Sequence, residues 1–228
     1  MSTMQSFFDG YTTVKIPKGE VIIQQSQVPD KAYVIKSGIV KVCNFTANGE
    51  EKSLSFKVDN DIFPVCWIFD KTETALFYYQ AHTDIELYVM SRDEITKRVE
   101  TNPDFAKVVL DKQIISYVNS ELQVEALEQS RAILKLIYTF RHLALTHGTK
   151  LEDNLVRIKI PLTQQELANF TGLTRETTIG ELNKLKDMGI IYNVQKFYTI
   201  NTAKADELID DDYDPGVKIQ VWSIAFAK

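Results

Sequence analysis

The side chains best suited to chemistry in this 228-residue chain lie together in one short run, Thr174-Arg175-Glu176-Thr177. An arginine can donate two hydrogen bonds to the O6 and N7 of guanine, and a glutamate can accept one from the amino group of cytosine. Such side chains reach base edges when they sit at the exposed start of a helix that enters the major groove. An isolated Arg-Glu pair is more often a solvated first helical turn, so its surroundings decide. Other chemistries lack their parts. The three histidines, His82, His142 and His147, are scattered, whereas a cupin-type metal enzyme needs two or three convergent with a carboxylate. No nucleophile elbow, Walker loop or Gly-rich dinucleotide turn occurs, so no enzyme and no metal site is expected. Two cysteines, Cys43 and Cys66, cannot supply the four thiolates of an iron–sulfur cluster. The expected cofactor is none. Haem stays open, with His82 or Cys66 offering an axial ligand, although a single histidine on a strand is more often structural.

The segments around Arg175 supply what the pair alone does not. In Leu162-Thr163-Gln164-Gln165-Glu166-Leu167, Thr163 caps a helix, Glu166 completes a capping box and Leu162 staples onto Leu167. Gly172 allows a tight turn after Phe170-Thr171. Thr174 then caps a second helix running to Leu185. Two short helices joined through glycine form a helix-turn-helix. Met188-Gly189 closes it, and Ile190–Tyr192, the turn Asn193–Lys196 and Phe197–Ile200 form a two-stranded wing. On this frame the expected DNA contacts are Thr163, Thr174, Arg175, Glu176, Thr177, Ile179, Asn183 and Lys184, with Lys196 of the wing meeting phosphate.

Upstream, residues 11–90 alternate as short strands. Tyr11–Ile16, Glu20–Gln24, Lys31–Lys36, Ile39–Phe45, Lys52–Val58, Ile62–Phe69 and Leu76–Met90 are rich in β-branched and aromatic residues. Turn residues separate them, and Asn48-Gly49 predicts a two-residue hairpin. Such spacing predicts an antiparallel barrel or sandwich. The period then turns helical, over Ser91–Glu100 and from Asn102 to about Ser130. Val108, Ile115, Val118 and Leu122 form one stripe, expected at a dimer interface. Leu110, Ile114, Tyr117 and Val124 form a second on a different face. A helix buried within one monomer is the competing reading. A further helix over Arg131–Thr146 precedes a strand at Val156–Ile160, and the chain divides near Glu128–Arg131.

Charge is the main objection to a nucleic-acid partner, at −5 overall. Its distribution weakens the objection, since residues 151–203 carry six cations against six anions. DNA affinity must therefore come from local placement of cations and from pairing of two copies. No apolar run is long enough for a membrane helix, and Met1–Gly10 does not read as a signal peptide. With two separated cysteines, a cytoplasmic location is expected.

These residues in this order resemble the CRP/FNR family of bacterial transcription regulators. The helix-turn-helix from Leu162 to Ile191, with Thr-Arg-Glu-Thr at 174–177, is similar to the family's C-terminal domain. Lys18–Ile22, Ala32–Val42 and the Gly49-Glu50 hairpin are similar to its β-roll, and Thr101–Asp104 to the start of its central helix. The resemblance covers about residues 11–200. It implies an α+β fold in three parts: an N-terminal antiparallel β-roll, a long central dimerisation helix and a C-terminal winged helix-turn-helix. The corresponding segments are 1–100, 101–130 and 131–203, followed by an acidic linker and tail at 204–228. It further implies a homodimer on an inverted-repeat operator in double-stranded DNA, with RNA polymerase as a further partner if the protein activates. A protein-interaction scaffold without DNA binding is the alternative, and a haem-based gas sensor a more distant one.

Three departures qualify the resemblance. Members that bind cyclic nucleotides surround ribose and phosphate with a Gly-Glu and an Arg-Ser pair. Here the stretch reads Phe63-Pro64-Val65-Cys66-Trp67 and then Thr74–Phe77, and no arginine precedes Arg92. Without a guanidinium clamp for phosphate, cyclic AMP is not expected as effector. Phe63, Cys66, Trp67, Phe77 and Tyr79 are instead expected to line an apolar pocket or to fill it. The iron–sulfur ligands of oxygen-sensing members are absent. Many relatives place a second arginine five positions after Arg175, where this chain has Gly180, so a different half-site is expected. In the tail, Trp222 and Phe226 are expected to dock the last ten residues on the protein.

Overall fold

The computed structural model describes residues 7, 8 and 10–210. The chain divides into two compact units, residues 1–116 and 117–228, and the division falls within one long helix.

The first unit is built on strands β1 (Thr13–Ile16), β2 (Val21–Ile23), β3 (Ala32–Ser37), β4 (Val40–Phe45), β5 (Glu51–Lys57), β6 (Ile62–Phe63), β7 (Tyr78–Ala81) and β8 (Ile85–Met90). They form two antiparallel sheets, in the orders β1-β8-β3-β6 and β2-β7-β4-β5. The period-two pattern explains the arrangement, because alternate side chains leave opposite faces of a strand. Ile35, Phe63, Ile85 and Leu87 of the first sheet meet Val40, Val42, Tyr79 and Ala81 of the second. Ala32, Val34, Tyr88 and Met90, on the first sheet's other face, meet helices α1 (Val65–Ile68), α2 (Arg92–Thr101) and α3 (Pro103–Glu128) through Trp67, Ile68, Ile95, Phe105 and Val109. Gly38 is required where the chain turns from β3 to β4. Its φ is 100°, and a Cβ there would lie 2.6 Å from the Asp84 carbonyl oxygen.

Three local expectations need correction. The β4–β5 hairpin is a three-residue loop rather than a two-residue one. Thr46 N bonds Glu50 O at 2.9 Å, and of Asn48 and Gly49 only Gly49 has positive φ, at 78°. That is the usual conformation of a three-residue hairpin loop, with its left-handed residue last. The strand expected over Ile62–Phe69 stops after two residues. Pro64 has no N–H for the ladder, and Ile68 N bonds the Pro64 carbonyl to close a helical turn. Leu76–Met90 is two strands, separated where His82 N bonds Ile39 O at 2.9 Å.

The second unit contains the end of α3, α4 (Ala132–His147), β9 (Gly148–Glu152), β10 (Leu155–Ile158), α5 (Gln164–Thr171), α6 (Arg175–Asp187), β11 (Ile191–Val194), β12 (Phe197–Asn201) and α7 (Thr202–Asp210). Its sheet has the order β11-β12-β10-β9. Leu134, Ile137, Phe140 and Leu143 of α4 are buried, as their helical spacing requires. β9 is polar apart from Leu151 and mostly exposed, so its sequence carries no apolar alternation. Residues 204–210, expected within an acidic linker, belong to α7, whose Ala205 and Ile209 are four apart and buried on one face. The expected docking of the last ten residues lies outside the described residues.

A buried relay joins three helices of this unit. Gln123 Nε2 donates to the Phe170 carbonyl at 2.9 Å, so Gln123 Oε1 accepts from His142 Nδ1 at 3.1 Å. Burial holds His142 neutral, with its pKa pushed down to about 3. The unfolded chain takes up this proton near pH 6.5 and the native one does not, so acidification through that range favours unfolding. The slope approaches about 1.4 kcal/mol per pH unit. Wild type should exceed His142→Gln in stability at pH 7, by a margin that narrows from pH 6.5 downward. Denaturant titrations across pH check this, and a pH-independent margin would contradict it.

Candidate nucleic-acid interface

The helix pair at residues 163–187 is held by the bonds its sequence calls for. Thr163 Oγ1 accepts from Glu166 N at 3.1 Å, and Glu166 Oε2 accepts from Thr163 N at 2.7 Å. Leu162 and Leu167 are both buried. α5 ends at Gly172 with φ 69° and ψ 15°, a left-handed conformation that costs glycine little. Thr174 Oγ1 accepts from Thr177 N at 3.1 Å and starts α6. The hydroxyls of Thr163 and Thr174 are thus occupied in positioning the helices.

Burial sorts the faces of α6. Thr178, Leu182 and Leu185 pack inward, and Thr178 Oγ1 donates to the Thr174 carbonyl at 2.8 Å. Arg175, Glu176, Thr177, Gly180, Asn183 and Lys184 are exposed, with Ile179 half-buried between them. Lys184 is tied to Glu181 at 2.7 Å, whereas Arg175 at the helix start forms no ion pair among the described residues. The wing follows. β11 and β12 pair antiparallel from Ile191↔Ile200 to Val194↔Phe197, which leaves Gln195-Lys196 as a two-residue tip. Lys196 is exposed, and its carbonyl accepts from Leu162 N at 2.8 Å, fastening the wing beside the start of α5.

The structure brings together residues the sequence reading had left out. A cleft of about 390 Å³ is lined by Leu162, Thr163, Gln164, Gln165, Arg175, Lys186, Asn193, Gln195, Lys196 and Tyr198. Of these, only Thr163, Arg175 and Lys196 are among the DNA contacts expected from the sequence. Gln164 and Gln165, directly after the cap, had a usable signal in their position at an open helix end. Lys186 had none, since only the fold of the wing shows what lies beside it.

The expected dimer stripe is partly redrawn. Ile115 and Val118 are exposed, at 55% and 40%, and Leu122 is half-buried. Val108 is half-buried and packs against the core beneath α3. The second stripe is the more open one. Leu110, Ile114, Tyr117 and Val124 are all more than half exposed.

The five candidate pocket residues do not line one cavity. Phe63 is fully buried and stacks between Tyr33 and Tyr79, at 5.3 Å and 5.0 Å. Phe77 packs on the same core. Trp67 lies in the other core, under the Arg92 guanidinium at 5.2 Å, and Cys66 is exposed. The helical turn after Pro64 causes the division, since a strand there would have kept strict alternation. His82 is buried beside the Phe56 ring at 5.0 Å. Among the described residues no group of three or more His, Cys, Asp or Glu could hold a metal ion, and no helix is long and apolar enough to cross a membrane.

A capped helix pair with an exposed Arg175 and a cationic wing, carried on a chain that begins with a β-roll, defines a winged-helix DNA-binding regulator. Sequence comparison agrees in detail. Residues 13–102 match the cyclic nucleotide-binding domain and residues 131–208 the Crp-like helix-turn-helix domain. The chain belongs to the CRP/FNR family of transcription regulators. It is 24% identical over 194 residues to a probable transcriptional activator of Rhizobium leguminosarum bv. viciae, covering 85% of this chain and 78% of that protein. It is 26% identical to a CRP-like cAMP-activated global transcriptional regulator of Mycobacterium tuberculosis, over 72% of each. The solved structure of FixK2 from Bradyrhizobium japonicum superposes with a TM-score of 0.71 at 16% identity, covering 87% of this chain and 96% of that one.

Proposed function

We propose that this regulator acts as a homodimer on an inverted-repeat operator, and that its β-roll works without cyclic AMP. The observation that carries the DNA reading is Arg175, exposed in the first turn of α6 beside a cationic wing. Pairing rests on the open apolar residues of α3, which water disfavours and a second copy of the same helix would cover. Two copies related by a two-fold axis present two recognition helices, so the half-sites fall about one helical turn apart. Where the regulator activates, RNA polymerase is its further partner, and no catalytic step is assigned to it. Gel shifts against genomic fragments at low and moderate salt test this reading. Retarded fragments sharing a sequence support it, and no retardation at low salt leaves a protein-interaction scaffold.

Independence from cyclic AMP is supported by two features. No guanidinium lies in the β-roll before Arg92, so the cyclic phosphate would lack its bidentate partner. The Tyr33–Phe63–Tyr79 stack also occupies space between the two sheets. An interior already filled needs no ligand to complete it, which leaves control to the amount of protein. Calorimetric titration with cyclic AMP should give no binding heat, and saturable binding at micromolar concentration would overturn this part of the proposal.

A further inference from the structure

Both ends of the recognition helix carry cations, and of these Lys186 is the one that the sequence does not mark as a DNA contact. Arg175 opens α6, and Lys186 lies in its last turn. The cleft beside the wing gathers Arg175, Lys186 and Lys196, and among the described residues no aspartate or glutamate lines it. None of the three cations forms an ion pair among the described residues, whereas Lys184 on the same helix does. Three unpaired like charges around one cleft repel each other, and an anion between them removes that cost.

The neutral groups in the cleft suit the same ligand. Tyr198 is 3% exposed and its ring packs on Phe140 at 5.1 Å. Burial raises its pKa, so the phenol keeps its proton and has an O–H to donate. Gln164 adds an amide to the lining. The bond from Leu162 N to the Lys196 carbonyl, 2.8 Å, ties the two walls together, so the cleft does not depend on two independently moving parts. A helix entering the groove by its N-terminal end leaves its last turn towards the groove's edge, where the phosphates run. Lysine ammonium groups with amide and hydroxyl groups beside them match a phosphodiester, which protein–DNA interfaces contact through such side chains.

We propose that this cleft seats one phosphodiester of the DNA backbone, held by Lys186 and Lys196, and that Lys186 is a positioning residue for α6. The inference rests on the DNA-binding reading above and adds the ligand and the residue that holds it. The test uses the full chain with Lys186→Gln, Lys186→Arg and Lys97→Gln, titrated by fluorescence anisotropy on operator and random duplexes over a range of salt. Each lost phosphate contact lowers the slope of log K against log salt by about 0.9. Lys186→Gln should lower it by about that amount per half-site on both duplexes and weaken both by a similar factor. Lys186→Arg should restore the slope, a rescue that a folding defect would not show, and Lys97→Gln, an exposed lysine of α2, should leave it unchanged. A wild-type slope in Lys186→Gln overturns the inference, as does a loss confined to the operator, which would mark a base contact. If Arg175→Ala still relaxes sequence preference in that case, the DNA reading stands and only the phosphate seat falls. A wild type that binds no duplex removes both.

Discussion

Ile114→Lys combined with Val118→Lys should turn the protein into a folded monomer and weaken operator binding by about a hundredfold or more. The two residues lie one turn apart on α3 and are 52% and 40% exposed, so the lysines meet water in the monomer and cost the fold little. In a paired helix the same positions would bury four charges around the two-fold axis, which desolvation and like-charge repulsion forbid. Losing the dimer unlinks the two half-sites, and linkage of that kind contributes about 10²–10⁴ in affinity. Sedimentation reads the oligomeric state and anisotropy the affinity. A variant that still sediments as the wild type and binds the operator equally well would place the interface elsewhere. Val108→Lys should behave differently, because that residue packs on the core, and it should lower stability before it alters assembly.

Arg175→Ala should cost about 1–3 kcal/mol per half-site and relax selection at one guanine. On a symmetric operator the two half-sites together make this about 2–6 kcal/mol, if they act independently. The side chain is exposed and forms no ion pair among the described residues, so its removal leaves no buried group without a partner there, and stability should not change. The loss should be confined to the operator, while a phosphate ligand such as Lys196 weakens all sequences alike. Unchanged sequence preference in Arg175→Ala would remove α6 from the groove. Gly180 leaves this helix without a second arginine on the same face, so the selected half-site should contain one guanine contact fewer than a paired-arginine helix would make.

The parts of the site that were legible in the sequence are those fixed by rules acting over a few residues. The Thr163–Glu166 capping box, the Gly172 turn and the Thr174 cap are local hydrogen-bond and backbone requirements, and each appears where its residues stand. The wing was legible for the same reason. What escaped depends on tertiary placement. Lys186 looks like an ordinary last-turn lysine until the wing is folded beside it. Val108 and Leu110 are equally apolar in sequence, and only the position of the β-roll core assigns one inward and the other outward. Pro64 gave a warning that the long apolar run around it outweighed, and with it went the expectation of a single pocket. The acidic residues of α7 concealed the Ala205–Ile209 face in the same way.

Selection of bound duplexes from a random pool by the full-length protein tests the central claim most directly. The account predicts enrichment of an inverted repeat, with half-site centres about one helical turn apart and one strongly selected guanine in each half. Enrichment of a single unpaired half-site would contradict the symmetric dimer, and a pool that remains random would contradict sequence-specific DNA binding itself.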